Sequence, residues 1–303
     1  MANGTWRRAG ATGSIALAVM ACGLTSARAD PVTFRLYAGY EYSSGTYGAT
    51  QATELQTSSF SAKASWGGWA VRVYVPYLVL HGPSNIVVIG GGTGTGTGTG
   101  TGGSTGGGGG GEDVGTPSGG EGGGGGAGAD AMIAPYAAPL TRSASGIGDT
   151  TLRLSYTWNA IGQSPLYAAL GGLVRLPSGS YRQGLGVGTT DYGTEAEIGG
   201  QFDWGGVYAT AGYRFRGNHI GNLRRDGLLA TAGTWIDATD ALQVGAYYDW
   251  RERVAIGLHQ QEDIGAYAAY RITSQLTAQI YGENGFTTAS PDYDIGVRLS
   301  YSL

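Results

Sequence analysis

The sequence predicts an all-β protein: a transmembrane, antiparallel up-and-down β-barrel of about twelve strands with a long glycine-rich external loop. Three observations predict it. Apolar residues recur at every second position in short segments, the chain opens with a secretory leader, and glycine and aromatic residues are abundant. Successive side chains on a strand point to opposite faces, so each segment has one apolar and one polar face. A soluble sandwich could show the same alternation, and the leader favours an outer-membrane barrel.

The first 29 residues are predicted to be a signal peptide, which leaves 30–303 as the barrel. Arg7 and Arg8 give a basic start, and an apolar stretch follows over 11–24. Ala27-Arg28-Ala29 then places small residues at the two positions that a signal peptidase reads. The apolar stretch is too short to span a bilayer as a helix. The only cysteine, Cys22, lies in this leader, and a second interpretation, in which Cys22 is a lipid anchor, stays open.

The charge balance excludes some classes of partner. Without the leader, 15 basic residues stand against 22 acidic ones, which disfavours nucleic acid as a partner. Lys63 is the only lysine, so almost every positive charge is a guanidinium. A guanidinium stays charged and donates several directed hydrogen bonds, which suits a network inside a narrow lumen.

Twelve segments alternate in this way, and none has a charged residue on its apolar parity. They run over 34–42, 60–66, 69–75, 152–158, 166–174, 192–202, 207–215, 228–236, 242–250, 264–272, 276–280 and 295–303. Charges of both signs fall on the opposite parity. Because an Arg or Lys facing lipid at mid-depth costs roughly 2–4 kcal/mol and a lumen-facing one does not, this segregation is what a bilayer imposes. Aromatic residues near the segment ends fit an interfacial girdle.

Connection lengths support the same topology. Tight turns are predicted at 67–68, 161–163, 203–205, 237–240 and 273–274, and longer connections at 43–57, 76–147, 177–190, 217–226, 252–262 and 283–292. Short periplasmic turns, long external loops and an even strand count are the rule for bacterial outer-membrane barrels, so we expect outer-membrane lipid around this one. The segment 89–145, inserted between the third and fourth strands, is predicted to be a disordered low-complexity loop, because its Gly-rich composition cannot bury apolar area.

No motif predicts catalysis. Gly102-Gly103-Ser104-Thr105-Gly106 matches a nucleophile elbow, but no strand precedes it and no helix follows it. His81, His219 and His259 fall on or near external connections, and no local pattern fixes a Ser–His or Asp–His set. Solvated histidines are the favoured interpretation, and a barrel that carries a hydrolase or adhesin activity on its loops is the alternative. No metal site and no cofactor is predicted.

The charges on the polar parity are the candidate functional residues. They are predicted either to line a selective pore or to fill the barrel as a salt-bridged plug, because the interior of a small barrel often packs solid. The pore-lining candidates are Arg35, Glu41, Arg72, Asp149, Arg153, Arg175, Glu195, Glu197, Arg214, Arg271, Asp294 and Arg298.

Three short motifs carry a resemblance to a known family: Gly146-Ile147-Gly148-Asp149, Leu176-Pro177-Ser178-Gly179, and the glycines of 184–188 followed by Asp191. The stretch 146–303, and more weakly 31–80, resembles the outer-membrane proteins named for the meta-pathway of phenol degradation, commonly described as transporters. Ser178, where Thr is more usual, and the low-complexity insert depart from that pattern. The resemblance implies passive passage of small molecules, with apolar or aromatic compounds as candidate solutes. It supplies no catalytic residue, and the number of chains in the assembly stays open.

Overall fold

The computed structural model describes residues 31–47, 51–83, 86–89, 130–133, 141–159, 164–217, 224–254 and 259–303. The predicted leader, the middle of the glycine-rich loop and His219 lie outside these residues. The predicted turn at 161–163 and Cys22, with its lipid-anchor alternative, also lie outside them.

Within the described residues the secondary structure is almost entirely strand. One 3-10 turn, Tyr181–Gln183, is present, and no described helix is long and apolar enough to cross a bilayer. The strands are β1 (Thr33–Gly45), β2 (Thr53–Trp66), β3 (Trp69–Pro83), β4 (Ile86–Ile89), β5 (Asp130–Ile133), β6 (Thr141–Ile147), β7 (Thr150–Trp158), β8 (Leu166–Leu176), β9 (Asp191–Phe202), β10 (Gly205–Phe215), β11 (Gly227–Asp237), β12 (Leu242–Arg251), β13 (Gln261–Arg271), β14 (Leu276–Gly285) and β15 (Tyr293–Ser302).

Twelve of these strands close into an antiparallel barrel, which confirms the predicted fold class. Each strand pairs with the next in the order β1, β2, β3 and then β7 to β15. The barrel closes where β15 pairs with β1, from Arg35 opposite Ser302 to Ser44 opposite Tyr293. The remaining strands are β6, which extends the pairing of β3, and the separate ribbon of β4 and β5.

The two faces of the barrel wall divide as the alternation predicts. Apolar side chains of the predicted parity point outward and are exposed in the isolated chain, among them Phe60 (66%), Ile198 (59%) and Ile295 (52%). Their neighbours Glu197 and Asp294 point inward and are buried. The outer surface is therefore an apolar band suited to lipid, and the interior is polar.

The two ends of the barrel differ. At one end, here called the turn end, short turns join the strands. Gly67 and Gly68 there have φ angles of 50° and 85°, the positive values that a two-residue hairpin turn requires. Trp69 and Tyr156 lie on the outer surface of the barrel near this end. Their ring centroids are 4.8 Å apart, as expected of an interfacial girdle. The opposite end, the loop end, carries the longer connections.

The strands continue further toward the loop end than the alternation predicts. The first connection, expected at 43–57, is shortened because Ser43 pairs with Leu55 and Gly45 with Thr53. Likewise β3 continues to Pro83, into the expected 76–147 connection. The alternation fades above the apolar band because outward side chains there need not be apolar, while backbone pairing persists.

A bulge interrupts the wall beside β3. The first part of β3 pairs with β7, from Trp69 to Tyr74, and its last part pairs with β6, from Tyr77 to Pro83. Between the pairs Tyr77–Ile147 and Tyr74–Thr151, three residues (148–150) face two residues of β3 (75–76). The amide of Gly148 there donates to the carbonyl of Pro76 at 2.9 Å. A bulge of this kind redirects the side chain that it carries, which here is Asp149.

Candidate functional site: the barrel lumen

The predicted lumen residues divide into two groups by position. Eleven of the twelve candidates lie at inward positions on barrel strands, and Asp149 lies instead in the bulge at the loop end. The registers then decide which inward charges meet, and two sides of the lumen differ in this respect.

One side of the lumen is an alternating network of guanidinium and carboxylate groups. The carboxylate of Glu195 lies 3.0 Å from Arg153 and is also hydrogen-bonded by Arg214. The carboxylate of Asp191 lies 3.7 Å from Arg175 and accepts a hydrogen bond of 2.7 Å from Arg224. We call this set the arginine wall: Arg153, Arg175, Arg214, Arg224, Glu195 and Asp191.

The other side is a half-ring of carboxylates contributed by five consecutive strands, β12, β13, β14, β15 and β1. Asp249 lies directly opposite Asp263, and Glu283 directly opposite Asp294. Glu41 faces Gly296, two residues along the strand from Asp294. All five side chains are at least nine-tenths buried. We call this set the acidic half-ring: Glu41, Asp249, Asp263, Glu283 and Asp294.

Hydroxyl groups supply part of the hydrogen bonding of the acidic half-ring. Tyr281 donates to Glu41 at 2.7 Å, Tyr247 donates to Glu283, and Thr231 donates to Asp249. The Arg251 guanidinium lies 3.6 Å from Asp249 at the edge of the set.

Asp294 is the exception within the acidic half-ring. Neither of its carboxylate oxygens accepts a hydrogen bond from a described amide, guanidinium or hydroxyl group, although the side chain is only 3% exposed, and its side-chain neighbour is another acid, Glu41. Such an arrangement is energetically unfavourable, because a buried carboxylate needs a partner for its charge.

A layer of aromatic side chains lies next to the acidic half-ring, toward the turn end. We call it the aromatic layer: Tyr208, Trp235, Tyr247, Tyr267 and Tyr281. Each ring covers a glycine of a neighbouring strand. A Cβ atom at Gly265 would overlap the ring of Tyr247, and one at Gly296 would overlap Tyr281. The glycines are therefore required for the rings to lie flat against the wall.

Sequence reasoning missed this layer, because it searched the polar parity for charges alone. The sequence nevertheless contains a pattern that indicates this layer. These aromatic residues share the parity of the charged residues, and glycines of the adjacent strands share it too, so an inward ring over an inward glycine could have been predicted.

A cavity of about 610 Å³ opens at the turn end of the lumen. Charges of both signs line it, and hydroxyl and amide side chains lie between them, including Ser300 and Gln279. One lining guanidinium, Arg271, donates to the carbonyl of Asp240. The lining charges are Arg35, Arg271, Arg298, Asp203, Asp237 and Asp240. This polar vestibule has room for a small solute.

An apolar cluster lies at the loop end instead. The inward residues of β2 and β3 at this end are apolar: Leu55, Leu78 and Leu80. Tyr47 and Leu185 cover them from the connections, and all five side chains are at most 2% exposed. The connection 177–190, which contributes Leu185, thus folds over the mouth.

Asp149 holds that connection in place. One oxygen of its carboxylate accepts a hydrogen bond from the amide of Gly179 at 3.0 Å, and the other accepts from Val187 at 2.8 Å. Burial raises the pKa of Asp149, and the two amides act against this shift. Asp149 is predicted from the sequence to line the pore. Its contacts are those of a latch on the 177–190 connection.

The described histidines lie outside the lumen. His81 and His259 are exposed at the loop end. The Nδ1 atom of His81 lies 2.7 Å from the hydroxyl of Ser143. In the described part of the chain, no group of three or more His, Cys, Asp or Glu side chains is placed to hold a metal ion.

Comparison with known proteins supports the fold. No protein-family model and no curated protein sequence matches the chain. The solved structure of the COG4313 outer membrane channel from Pseudomonas putida F1 aligns with 90% of this chain and 96% of that one, at a TM-score of 0.59 and 9% identity. The two proteins share a fold.

Other solved barrels align less closely. The KdgM porin, in complex with disordered oligogalacturonate, gives a TM-score of 0.47 at 9% identity and covers 88% of this chain and 99% of that one. The translocator domain of the autotransporter NalP from Neisseria meningitidis gives 0.46 at 10% identity, over 89% and 88%.

Proposed function

We propose that this chain is an outer-membrane channel through which small molecules pass passively along the barrel lumen. Apolar and aromatic compounds are the candidate solutes, as the resemblance to the family named for the meta-pathway of phenol degradation implies. The fold shared with an outer membrane channel supports this proposal. On this proposal the turn end faces the periplasm and the loop end faces outward.

The single observation that carries the proposal is the polar vestibule at the turn end. A barrel that served only as a scaffold could fill its lumen with packed side chains, whereas this one keeps about 610 Å³ open. From there a solute would pass the aromatic layer and then the level between the arginine wall and the acidic half-ring. The 177–190 connection lies over the far mouth, and we expect passage to require that it move.

Conductance of the refolded mature chain, 30–303, in a planar lipid bilayer tests the proposal. Discrete, ion-selective steps are expected. A folded barrel that carries no current, and admits no small neutral solute in a liposome-swelling assay, would contradict it.

The lining role of the vestibule arginines has its own test. Replacing Arg271 with Gln should shift ion selectivity toward cations, because a positive charge leaves the cavity wall. Arg253→Gln is the matched control, since Arg253 is exposed on a connection at the loop end. An unchanged reversal potential in Arg271→Gln would remove Arg271 from the lining.

One observation favours a second candidate function, an ester hydrolase on the outer face of the barrel. Glu54, His81 and Ser143 lie directly opposite one another on three adjacent strands, and the Ser143 hydroxyl is 2.7 Å from His81. A histidine beside a serine can accept its proton as the oxygen attacks an ester carbonyl, and then pass that proton to the leaving alcohol. Water would release the acyl group from Ser143.

Covalent labelling with a fluorophosphonate probe tests the second candidate. Labelling of the folded protein that is lost in Ser143→Ala and kept in Ser145→Ala would support it, because Ser145 lies exposed on the same face two residues away. Absence of labelling would leave Ser143 and His81 as an ordinary surface pair.

We also propose that 1–29 is removed on export and that the glycine-rich part of 89–145, between β4 and β5, forms a disordered external loop. The intact mass of the protein isolated from outer membranes tests the first part. A lipid-modified chain that begins at Cys22 would contradict it. Rapid protease cleavage within 89–145, with the barrel left intact, is expected from the second part.

A further inference from the structure

The acidic half-ring brings five buried carboxylates together on adjacent strands. It includes two pairs of directly opposite carboxylates, Asp249 with Asp263 and Glu283 with Asp294. Like charges at directly opposite positions of a sheet destabilise it. The arginine wall shows that this chain can pair buried carboxylates with guanidinium groups. In the half-ring it places carboxylates beside carboxylates.

The cations nearest to the half-ring are already engaged at its margins. Arg251 lies at the edge, 3.6 Å from Asp249. Arg298 lies further toward the turn end, with its guanidinium 5.7 Å from the centre of the Tyr281 ring. Across the lumen, Arg153 and Arg214 both contact Glu195.

Asp294 identifies the position where a partner is lacking. It is buried between Glu283, directly opposite on β14, and Glu41 on β1, and neither of its oxygens accepts a hydrogen bond from a described amide, guanidinium or hydroxyl group. One oxygen of Asp263 lacks a partner as well. A buried, unpartnered carboxylate between two others provides hydrogen-bond acceptors without donors, which is the complement of a cation that carries N–H groups.

The surroundings favour an organic ammonium group over a metal ion. No described set of carboxylates has the arrangement of a metal site, and phenol hydroxyls occupy one oxygen each of Glu41 and Glu283. The rings of Tyr247 and Tyr281 lie beside these carboxylates. Aromatic faces attract ammonium groups, and carboxylates accept their N–H bonds, so this lining suits a protonated amine with an apolar remainder.

We propose that the acidic half-ring is a binding site for the ammonium group of an organic amine, with Asp294 as its principal acceptor. This inference rests on the proposed channel function and narrows its solutes to small molecules that carry a protonated amine. The amine lies against Asp294 and Glu283, and the apolar remainder lies against the aromatic layer.

Benzylammonium is the probe, with benzyl alcohol and phenylacetate as size-matched neutral and anionic controls. Each is added to single channels of the mature chain in a planar bilayer, and block of the current is recorded. The variants are Asp294→Asn and Glu283→Gln, which remove charge and keep size. The control Asp292→Asn makes the same chemical change two residues from Asp294, at an exposed position.

We expect benzylammonium to block the wild-type channel at a lower concentration than either control compound. The blocking concentration should rise about tenfold or more in Asp294→Asn, and also in Glu283→Gln, because each loses a buried acceptor of the bound cation. It should not change in Asp292→Asn. Equal block by benzylammonium and phenylacetate, or equal block in the wild type and Asp294→Asn, would overturn the inference while the channel proposal stands.

A folded barrel that carries no current would count against the channel proposal alone. The ammonium site would then be tested by measuring binding directly. Calorimetric titration of benzylammonium into the folded protein in detergent should show binding that Asp294→Asn weakens about tenfold or more. No binding to the wild type, or the same affinity in both proteins, would overturn the inference. Heat-modifiable gel migration verifies that each variant is folded.

Discussion

The arginine wall and the acidic half-ring occupy opposite sides of one lumen and handle buried charge differently. In the wall, Glu195 lies between Arg153 and Arg214. In the half-ring, Asp294 lies between Glu41 and Glu283, with neither oxygen accepting a hydrogen bond from a described amide, guanidinium or hydroxyl group. Both regions consist of buried ionisable side chains on adjacent strands, so burial alone does not distinguish them.

The difference concerns how each region compensates its buried charge. A buried ion pair loses much of its stabilising value when one partner is removed, because the remaining charge is left uncompensated. The wall is therefore a structural element of the barrel. Asp294 differs, because its removal should relieve the repulsion between directly opposite like charges.

The largest expected effect is in the wall. Glu195→Gln leaves the guanidinium groups of Arg153 and Arg214 without their carboxylate, and should lower the free energy of unfolding by about 3–5 kcal/mol. Urea denaturation of the refolded barrel, followed by tryptophan fluorescence, measures it. Glu283→Gln is the matched control in the half-ring. If both variants unfold at the same urea concentration as the wild type, the distinction between the two regions is wrong.

The next effect concerns Asp149, which lies near the wall and is held by backbone amides. Asp149→Ala removes the acceptor for Gly179 and Val187. Each lost bond to a charged group should cost roughly 1.5–3 kcal/mol of docking free energy. Faster hydrogen exchange of the 177–190 amides is expected, together with a larger conductance. Exchange as slow as in the wild type would show that Leu185 and its apolar neighbours hold the connection unaided.

The pH dependence of this latch has a defined sign. Because burial raises the pKa of Asp149, the docked state binds a proton more tightly than an undocked state with a solvated carboxyl group. Docking is therefore favoured below the ordinary pKa of an aspartate, and that contribution is lost as the pH rises through the raised pKa. Protection of 177–190, corrected for intrinsic exchange, should be at least as high in acid as at neutral pH. Release on acidification would contradict this sign.

A smaller effect tests the support of the half-ring. In Gly265→Ala the new methyl group overlaps the ring of Tyr247, whose hydroxyl binds Glu283. Overpacking of this kind should cost about 1–3 kcal/mol of unfolding free energy. Gly172→Ala is the control, because a Cβ there would lie 3.7 Å from its nearest neighbour, the carbonyl oxygen of Gly193. Equal urea midpoints for the two variants would mean that Tyr247 moves aside freely.

The smallest effect has the opposite sign. Asp294→Asn removes one member of a directly opposite pair of like charges, and should raise the free energy of unfolding by about 0.2–1 kcal/mol. The same urea titration measures it, against the exposed control Asp292→Asn. A clear loss of stability would show that Asp294 is paired in the folded barrel and belongs with the wall.

The fold could be predicted from the sequence because a bilayer constrains one face of every strand. Phe60 and Ile198 belong to the apolar set of their strands, and both point outward as predicted. Gly67-Gly68 marks a turn, because both residues adopt positive φ angles. Above the apolar band that constraint ends. The strand pairing of Ser43 with Leu55 and the strand β6 were therefore missed.

The candidate site could be predicted only in part. The two-residue alternation identified inward charges such as Glu195 and Asp294. It did not identify their neighbours on adjacent strands, because strand register decides which residues meet. Register is fixed by turn lengths, shear and the bulge at Asp149 rather than by local composition. Whether a buried carboxylate meets a guanidinium or another carboxylate therefore required the structure.

The bulge between β6 and β7 has a consequence for how this barrel could vary. Pro83 pairs with Thr141, so the chain leaves and re-enters the fold at adjacent points, whatever the length of 84–140. The circumference is set by β3 and β7 below that exit, from Trp69 opposite Tyr156 to Tyr74 opposite Thr151. Since the entropy of closing a loop grows only slowly with its length, insertions and deletions within 84–140 can accumulate at little thermodynamic penalty. The surface at the loop end can thus change while the circumference of the transmembrane barrel stays the same.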